Sequence, residues 1–217
     1  MCALFGFLAE NERPDYILDE MGSVLLHRGP DCQGKFFDGI LGLGHNRLSV
    51  IDLSPAGHQP MVLKEDGLVL VFNGEIFNYK ELRNELPGET FFSETDSEVL
   101  LRSFKVWGKE CLSRLNGMFA FAIWDRNKKE LFLARDRFGV KPLYYSQRPN
   151  GFYFASKPKG LFAAGVPRTN NFMTWSTYFK FGTYEHAEHT FFEEVSKLRP
   201  GHWMTVTSDR GVEIEAY

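Results

Sequence analysis

Apolar positions recur along the chain with two periods, and the shifts between them outline its elements. Residues 3–8 form a short, nearly unbroken apolar run that predicts a strand at the very start. Ile17, Leu18, Met21, Val24 and Leu25 then share one face at helical spacing. That helix should end around His27–Arg28–Gly29–Pro30, where glycine and proline stop it. Strands are expected over 41–50 and 68–73, and a short helix over 78–86, before Pro87–Gly88. A second clear helix is predicted over 96–107: Thr95 and Glu98 have capping-box spacing, and Val99, Leu100, Phe104 and Trp107 supply the apolar stripe. Two β-runs follow, Met118–Trp124 and Leu131–Ala134, around the polar turn Asp125–Glu130. More strands are expected near 143–146, 152–155, 195–198, 202–207 and 212–216, whereas 158–185 has no readable period. Strands gathered before and after helices, not alternating with them, predict an α+β fold of mainly antiparallel sheets covered by helices. With no repeat, low-complexity segment or linker, residues 1–217 read as one domain.

Composition changes this picture mainly by exclusion. A formal net charge of −3 and the lack of a basic stripe give no footprint for nucleic acid or for an anionic membrane surface. The opening MCALFGFLAENERPD lacks the basic start and long apolar stretch of a secretory signal. The longest apolar run, Met118–Trp124, is strand-sized and too short to cross a bilayer. Three cysteines at unrelated spacings, with no zinc-type Cys/His cluster, predict no metal site and a reducing, cytoplasmic location. Cys32 and Cys111 read as buried or incidental thiols.

Cys2 is the residue whose position carries chemistry. Cysteine is small enough for the initiator Met1 to be removed ahead of it, which would leave its own α-amine free. Such an amine has a pKa near 7.7–8.0, against about 10.4 for lysine, so part of it is unprotonated at neutral pH. It can then act as general base to the thiol of the same residue. Taken alone, Met-Cys is a weak signal, since a small residue entering a buried strand looks the same.

An ordered set of segments accompanies it: HRGPD (27–31), GHNRLSVIDLSPAGHQPM (44–61), VFNGEIFNYKELRNEL (71–86), ETDSEVLL (94–101), LNGMFAFAIWD (115–125) and ARDRFGVKPLYY (134–145). The set resembles the N-terminal glutaminase domain of asparagine synthetase-type enzymes, which are class II glutamine amidotransferases. It covers nearly the whole chain and is weakest around 158–190. The resemblance implies the N-terminal nucleophile hydrolase fold, four αββα layers with two mainly antiparallel sheets.

It also implies a role for each matching residue. Cys2 would attack the side-chain amide of L-glutamine to give a thioester and ammonia. Asn73 and Gly74 would supply an oxyanion hole, although Asn-Gly is by itself a strong hairpin-turn signal. Arg47 would grip the substrate carboxylate, with backbone groups of Val50 and Ile51 nearby, and Glu75 and Asp96 would face the ammonium. Without the motif, Asp96 reads as a first-turn acid favoured by the helix dipole, and Glu75 as a solvated strand-end charge. His27 and Arg28 are expected to brace the helix end; His45 and His58 are not expected to bind metal. In ARDRFGVKPLYY, the Arg and Asp side chains could pair across a turn.

Two departures from the family pattern stand out. Ala3 replaces a glycine common after the nucleophile, which matters if that backbone needs positive φ. Lys157 stands where the family commonly has Glu. No SGGxDS-type or GxxxxGK[ST] phosphate loop occurs, so ATP and magnesium are expected only on a separate synthetase domain or subunit, and no cofactor in this one. The resemblance implies an ATP-activated carboxylate as the acceptor of the ammonia, aspartate first, with related acceptors of cell-surface sugar or secondary metabolism left open. A homodimer stays open, as does a degenerate glutaminase-like domain with a structural or regulatory role.

Overall fold

In the computed structural model the described residues are 1–86, 88–183, 187–207 and 211–217. Pro87, expected to follow the short helix, and residues 184–185, the end of the stretch without a readable period, lie outside them. The chain runs β1 (Ala3–Ala9), α1 (Tyr16–Leu25), β2 (Cys32–Asp38), β3 (Leu41–Arg47), β4 (Met61–Leu63) and β5 (Leu68–Ile76). It continues through α2 (Tyr79–Asn84), α3 (Asp96–Trp107), α4 (Cys111–Arg114), β6 (Gly117–Asp125), β7 (Glu130–Arg135), β8 (Tyr144–Arg148) and β9 (Gly151–Ala155). The last elements are α5 (Pro158–Ala163), α6 (Phe172–Phe181), β10 (Ser196–Lys197), β11 (His202–Thr207) and β12 (Gly211–Ala216).

Among the described residues the strands form two six-stranded antiparallel sheets. One has the order β10-β8-β9-β1-β3-β2 and the other β12-β11-β7-β6-β5-β4. Side chains alternate across each strand, and the alternation sorts the core into layers. On β1, Leu4 and Leu8 join Leu41 and Leu43 of β3, Val69 and Val71 of β5, and Trp124 and Leu133 in a layer between the sheets. Ala3, Phe5 and Phe7 face the other way, onto Leu18, Met21 and Leu25 of α1 and Leu161 of α5. On β5, Leu70 and Phe72 likewise turn from the sheet interface toward Val99, Leu100 and Leu101 of α3. The result is the four-layer αββα arrangement expected from the sequence.

Several local expectations need correction. β2 and β4 were not predicted: β2 is an edge strand whose residues alternate between half-buried and exposed, so its apolar signal is diluted by Gln33, Gly34 and Lys35. β3 ends at Arg47 and not at 50, while β5 runs three residues past 73. Asn73 and Gly74 therefore do not form a hairpin turn; they pair with Ala120 and Phe119 inside the β5–β6 ladder. α5 and α6 fill the stretch without a readable period; α6 leaves Phe172, Met173 and Phe179 exposed, so no buried stripe marks it.

The capping box is half realised. Thr95 Oγ1 accepts the Glu98 N–H at 3.1 Å. The Glu98 carboxylate, however, turns to the Phe92 and Ser93 N–H groups and to Arg102. The Arg–Asp pairing expected in ARDRFGVKPLYY gives way to main-chain bonding. Asp136 takes the N–H groups of Phe119, Phe138, Val140 and Lys141, and Arg135 donates to the carbonyls of Gly139, Lys141 and Leu198. Ala3 sits in β1 and is not among the residues with positive φ, so its β-carbon causes no backbone strain. Lys157 is the N-cap residue of α5, ahead of Pro158.

The layer between the sheets should dominate stability. Leu133→Ala deletes a fully buried side chain there and is expected to lower the unfolding free energy by about 2–5 kcal/mol. Urea unfolding checks this, and a loss below about 1 kcal/mol would mean the two sheets do not pack as described.

Candidate active site

The sidedness that builds the inner layer also builds the site. Continuing the alternation past Leu4 puts Cys2 on the inner side of β1, and continuing it past Leu43 puts His45 and Arg47 on the inner side of β3. On β5 the same face carries Val69 and Val71 and then Asn73 and Glu75. At this end of the interface the apolar rows give way to polar ones, and a cavity opens. It is lined by Cys2, Arg47, Val50, Ile51, Asn73, Gly74, Glu75 and Asp96, so the residues expected to act on or bind substrate all reach one place, whereas His27, Arg28, His45 and His58 do not line it. Gln59, Ser97 and Lys141 line it too; they lie within the resembling segments 44–61, 94–101 and 134–145, but no role was expected for them.

Cys2 is half-buried and anchored on both sides. Its Sγ accepts the Leu48 N–H at 3.3 Å, and its carbonyl accepts Nε–H of buried Arg28 at 2.9 Å. Arg28 is the last residue of the 3-10 turn after α1, and its side chain grips the main chain of Cys2, while His27 meets Lys159 at 3.2 Å. Burial pushes the Cys2 thiol above the usual cysteine range, and the Leu48 N–H and Arg47 offset this only in part. A thiol in that state needs a base before it can attack.

Asn73 is 1% exposed, and its Nδ2 has no hydrogen-bond partner. A buried donor left unpaired costs about 1–3 kcal/mol, so this one calls for a partner such as a water or ligand oxygen. A second donor lies beside it. In β5 the Phe72 N–H goes to Gln59 and the Ile76 N–H to Asp96 Oδ2 at 3.0 Å, both on the edge away from β6. The alternation of an antiparallel ladder turns the Gly74 N–H to that same edge, between them. Gly74 has no room for a side chain: a β-carbon would lie 2.4 Å from the Met118 carbonyl oxygen. Close packing, not a positive φ, is what requires glycine here.

The charged groups are set apart around the cavity. The buried Arg47 guanidinium donates to the carbonyls of Ile51 and Ser54, at 3.3 and 3.1 Å, and to that of Asp52. These three bonds leave two of its five N–H donors. Gly57 gives it room, since a β-carbon there would meet Nη2 at 2.3 Å. Asp52 holds the 48–54 loop at φ 51° and is braced by its carboxylate, which accepts the Ser54 and Glu94 N–H groups. Across the cavity, Asp96 opens α3 and is 5% exposed. Burial, with the charge of Glu75 adding to it, raises its carboxyl to about 6 despite the Ile76 N–H. Asp96 thus sits in the first helical turn and also faces the cavity.

His45 is fully buried, and burial lowers it to about 4. Its Nε2 lies 2.9 Å from the Phe72 carbonyl, which can only accept, so the ring is neutral with the proton on Nε2. His58 is exposed. Among the described residues no group of three or more His, Cys, Asp or Glu side chains is placed to hold a metal ion.

A cysteine entering a strand at the open end of two stacked antiparallel sheets, on the same cavity as the unpartnered Nδ2 of Asn73, fits an N-terminal nucleophile hydrolase-like architecture. The chain belongs to the class II glutamine amidotransferase domains: it matches the glutamine amidotransferase domain family over residues 1–217, and over its whole length it is related to the N-terminal domain of asparagine synthetases. It is 37% identical over 224 residues to asparagine synthetase [glutamine-hydrolyzing] 1 of Bacillus subtilis, covering 100% of this chain and 35% of that protein. It is 36% identical over 202 residues to amidase chry2 of Gibberella zeae, covering 89% of this chain and 29% of that one. The chain therefore spans about a third of the length of these relatives. The fold is shared with glutamine phosphoribosylpyrophosphate amidotransferase from B. subtilis, with a TM-score of 0.75 at 21% identity, over 99% of this chain and 49% of that chain.

An acid whose pKa is higher folded than unfolded binds its proton more readily when folded. The Asp96 contribution is therefore most favourable below about pH 4 and is lost as the pH rises through about 6. Asp96→Asn keeps an acceptor for Ile76 but cannot ionise. It should be more stable than the parent by on the order of 2 kcal/mol at pH 7.5, and nearly equal at pH 4. Urea unfolding at the two pH values tests this; a gap that does not grow with pH would remove the desolvated-carboxylate assignment.

Proposed function

We propose that this domain hydrolyses the side-chain amide of L-glutamine to L-glutamate and ammonia through a thioester on Cys2, once Met1 has been removed. The observation that carries the reading is the buried, unpartnered Nδ2 of Asn73, lining the same cavity as the Cys2 thiol.

In this scheme the free α-amine of Cys2 takes the thiol proton as Sγ attacks the carboxamide carbon. Negative charge develops on the amide oxygen, and Asn73 Nδ2–H and the Gly74 N–H receive it. The C–N bond breaks, the proton passes to the leaving nitrogen, and ammonia departs. Water then attacks the thioester, releasing glutamate and returning the thiol. The raised thiol pKa agrees with a need for that base.

Substrate selection follows from charge. Arg47 takes the α-carboxylate with the donors that the 48–54 loop leaves free, beside Val50 and Ile51. Asp96 and Glu75 take the α-ammonium. A neutral amide would need neither charge, which favours a free amino acid over other amides.

The relatives carry different names but share a segment that matches this chain, which fits a common ammonia-producing half-reaction. We assign the ammonia to an ATP-dependent amidation of the asparagine synthetase type, on the part of those proteins that this chain does not span or on a separate subunit. The glutaminase step itself uses neither ATP nor a metal. Three free cysteines fit a reducing, cytoplasmic setting.

Cys2→Ala should abolish ammonia release from glutamine while leaving glutamine binding in place. Asn73→Ala should lower kcat by roughly 10²–10³ with a much smaller change in KM. Steady-state kinetics on Met1-free protein decide the point. An active Cys2→Ala variant removes the nucleophile, and an unchanged kcat in Asn73→Ala removes the oxyanion role.

A further inference from the structure

We infer that Gln59 is a positioning residue of the oxyanion site, holding the Phe72 peptide beside Asn73 and tying it to Ser97 beside Asp96. The inference rests on the glutaminase reading above and adds to it a residue that does not touch the reacting atoms.

The geometry begins where β4 stops. Met61 pairs with Leu70, so the antiparallel register would bring residue 59 opposite Phe72. The main chain of Gln59 does not make that pair. Its carbonyl lies instead against β2 of the other sheet, where a β-carbon on Gly34 would be only 2.0 Å from it. The side chain takes over the missing strand's part: Gln59 Oε1 accepts the Phe72 N–H at 2.6 Å, and Nε2 donates to Ser97 Oγ at 3.2 Å. Gln59 is buried, so both of these bonds are made away from bulk solvent.

The next peptide is held as well. The Phe72 carbonyl, bonded directly to the nitrogen of Asn73, accepts Nε2–H of the neutral, buried His45 at 2.9 Å. Two consecutive peptides of β5 are thus fixed by side chains at the point where β4 no longer supports the strand. Immediately beyond them come Asn73 and then Gly74. On the far side of Gln59, Ser97 follows Asp96 in the first turn of α3. One carboxamide therefore ties β5 just before the proposed oxyanion donors to α3 just after the proposed ammonium acceptor, as a second link beside the direct Ile76 N–H bond to Asp96. Displacement of such donors by about 1 Å is enough to cost on the order of 10² in rate.

The test uses Gln59→Met, which keeps the bulk and removes both bonds, and Ser97→Ala, which removes only the outer one. In Met1-free protein, Gln59→Met should lower kcat for glutamine roughly 10- to 100-fold, with KM changed less than about threefold. Ser97→Ala should act in the same direction but more weakly. In the Gln59→Met background it should add nothing, because the link is already broken. Backbone amide exchange, followed by NMR, should speed up at Phe72 by about tenfold or more in Gln59→Met while distant β-strand amides keep their protection. An unchanged kcat, a loss confined to KM, or additive effects of the two substitutions would overturn the inference. If Gln59→Met does not fold, the kcat and Phe72 exchange of Ser97→Ala decide, and parental values in both would overturn it. If the parent protein does not hydrolyse glutamine, the glutaminase reading fails, and exchange alone judges Gln59; an unaffected Phe72 amide would then overturn it.

Discussion

The alternation of side chains on three strands is the constraint on which the rest depends. Residues of one parity on β1, β3 and β5 face the opposing sheet, and away from the cavity they include Leu4, Leu8, Leu41, Leu43, Val69 and Val71. At one end the same parity brings Cys2, Arg47 and Asn73 into place, where the apolar layer stops and a cavity begins. A shift of one residue in any of these strands would move its functional side chain to the opposite face. The leucines behind them therefore fix the site as well as the fold.

Polar groups buried at such a boundary are costly unless paired, and here main-chain groups pair many of them. Arg47 is held by three carbonyls of the loop that follows it, Arg28 holds the Cys2 carbonyl, and Asp96 takes the Ile76 N–H. Arg28 Nη2 and His45 Nδ1 are also buried without a partner, but among the described residues Asn73 Nδ2 is the unpartnered buried side-chain atom on a residue that lines the cavity. A held frame with a donor left open at the cavity is the arrangement expected of a preorganised electrostatic site, which need not rearrange as charge develops.

Much of this was legible in the sequence. The α3 boundaries and the two long runs that became β6 and β7 could be read directly, whereas Cys2, Arg47, Asn73 and Asp96 were singled out together only through the resemblance of the ordered segments. Other features depend on tertiary contacts. β2 was hidden because an edge strand needs only half an apolar face, and α6 because it has no buried stripe. Asn73–Gly74 carries the local signal of a turn, yet the ladder with β6 overrides it. Gln59 and His45 gave no sign of their placement, since each is defined by a bond to the Phe72 peptide and no local pattern encodes that bond.

The central claim is that this polar end of the sheet interface is a competent glutamine site built on Cys2. Its most direct test is the intact mass of Met1-free protein after exposure to a glutamine-like diazoketone that alkylates an activated thiol. A single adduct that maps to Cys2 and is suppressed by glutamine is the expected result. No adduct, or one on Cys32 or Cys111 that glutamine does not suppress, would contradict the claim and favour a domain that keeps the architecture without the activity.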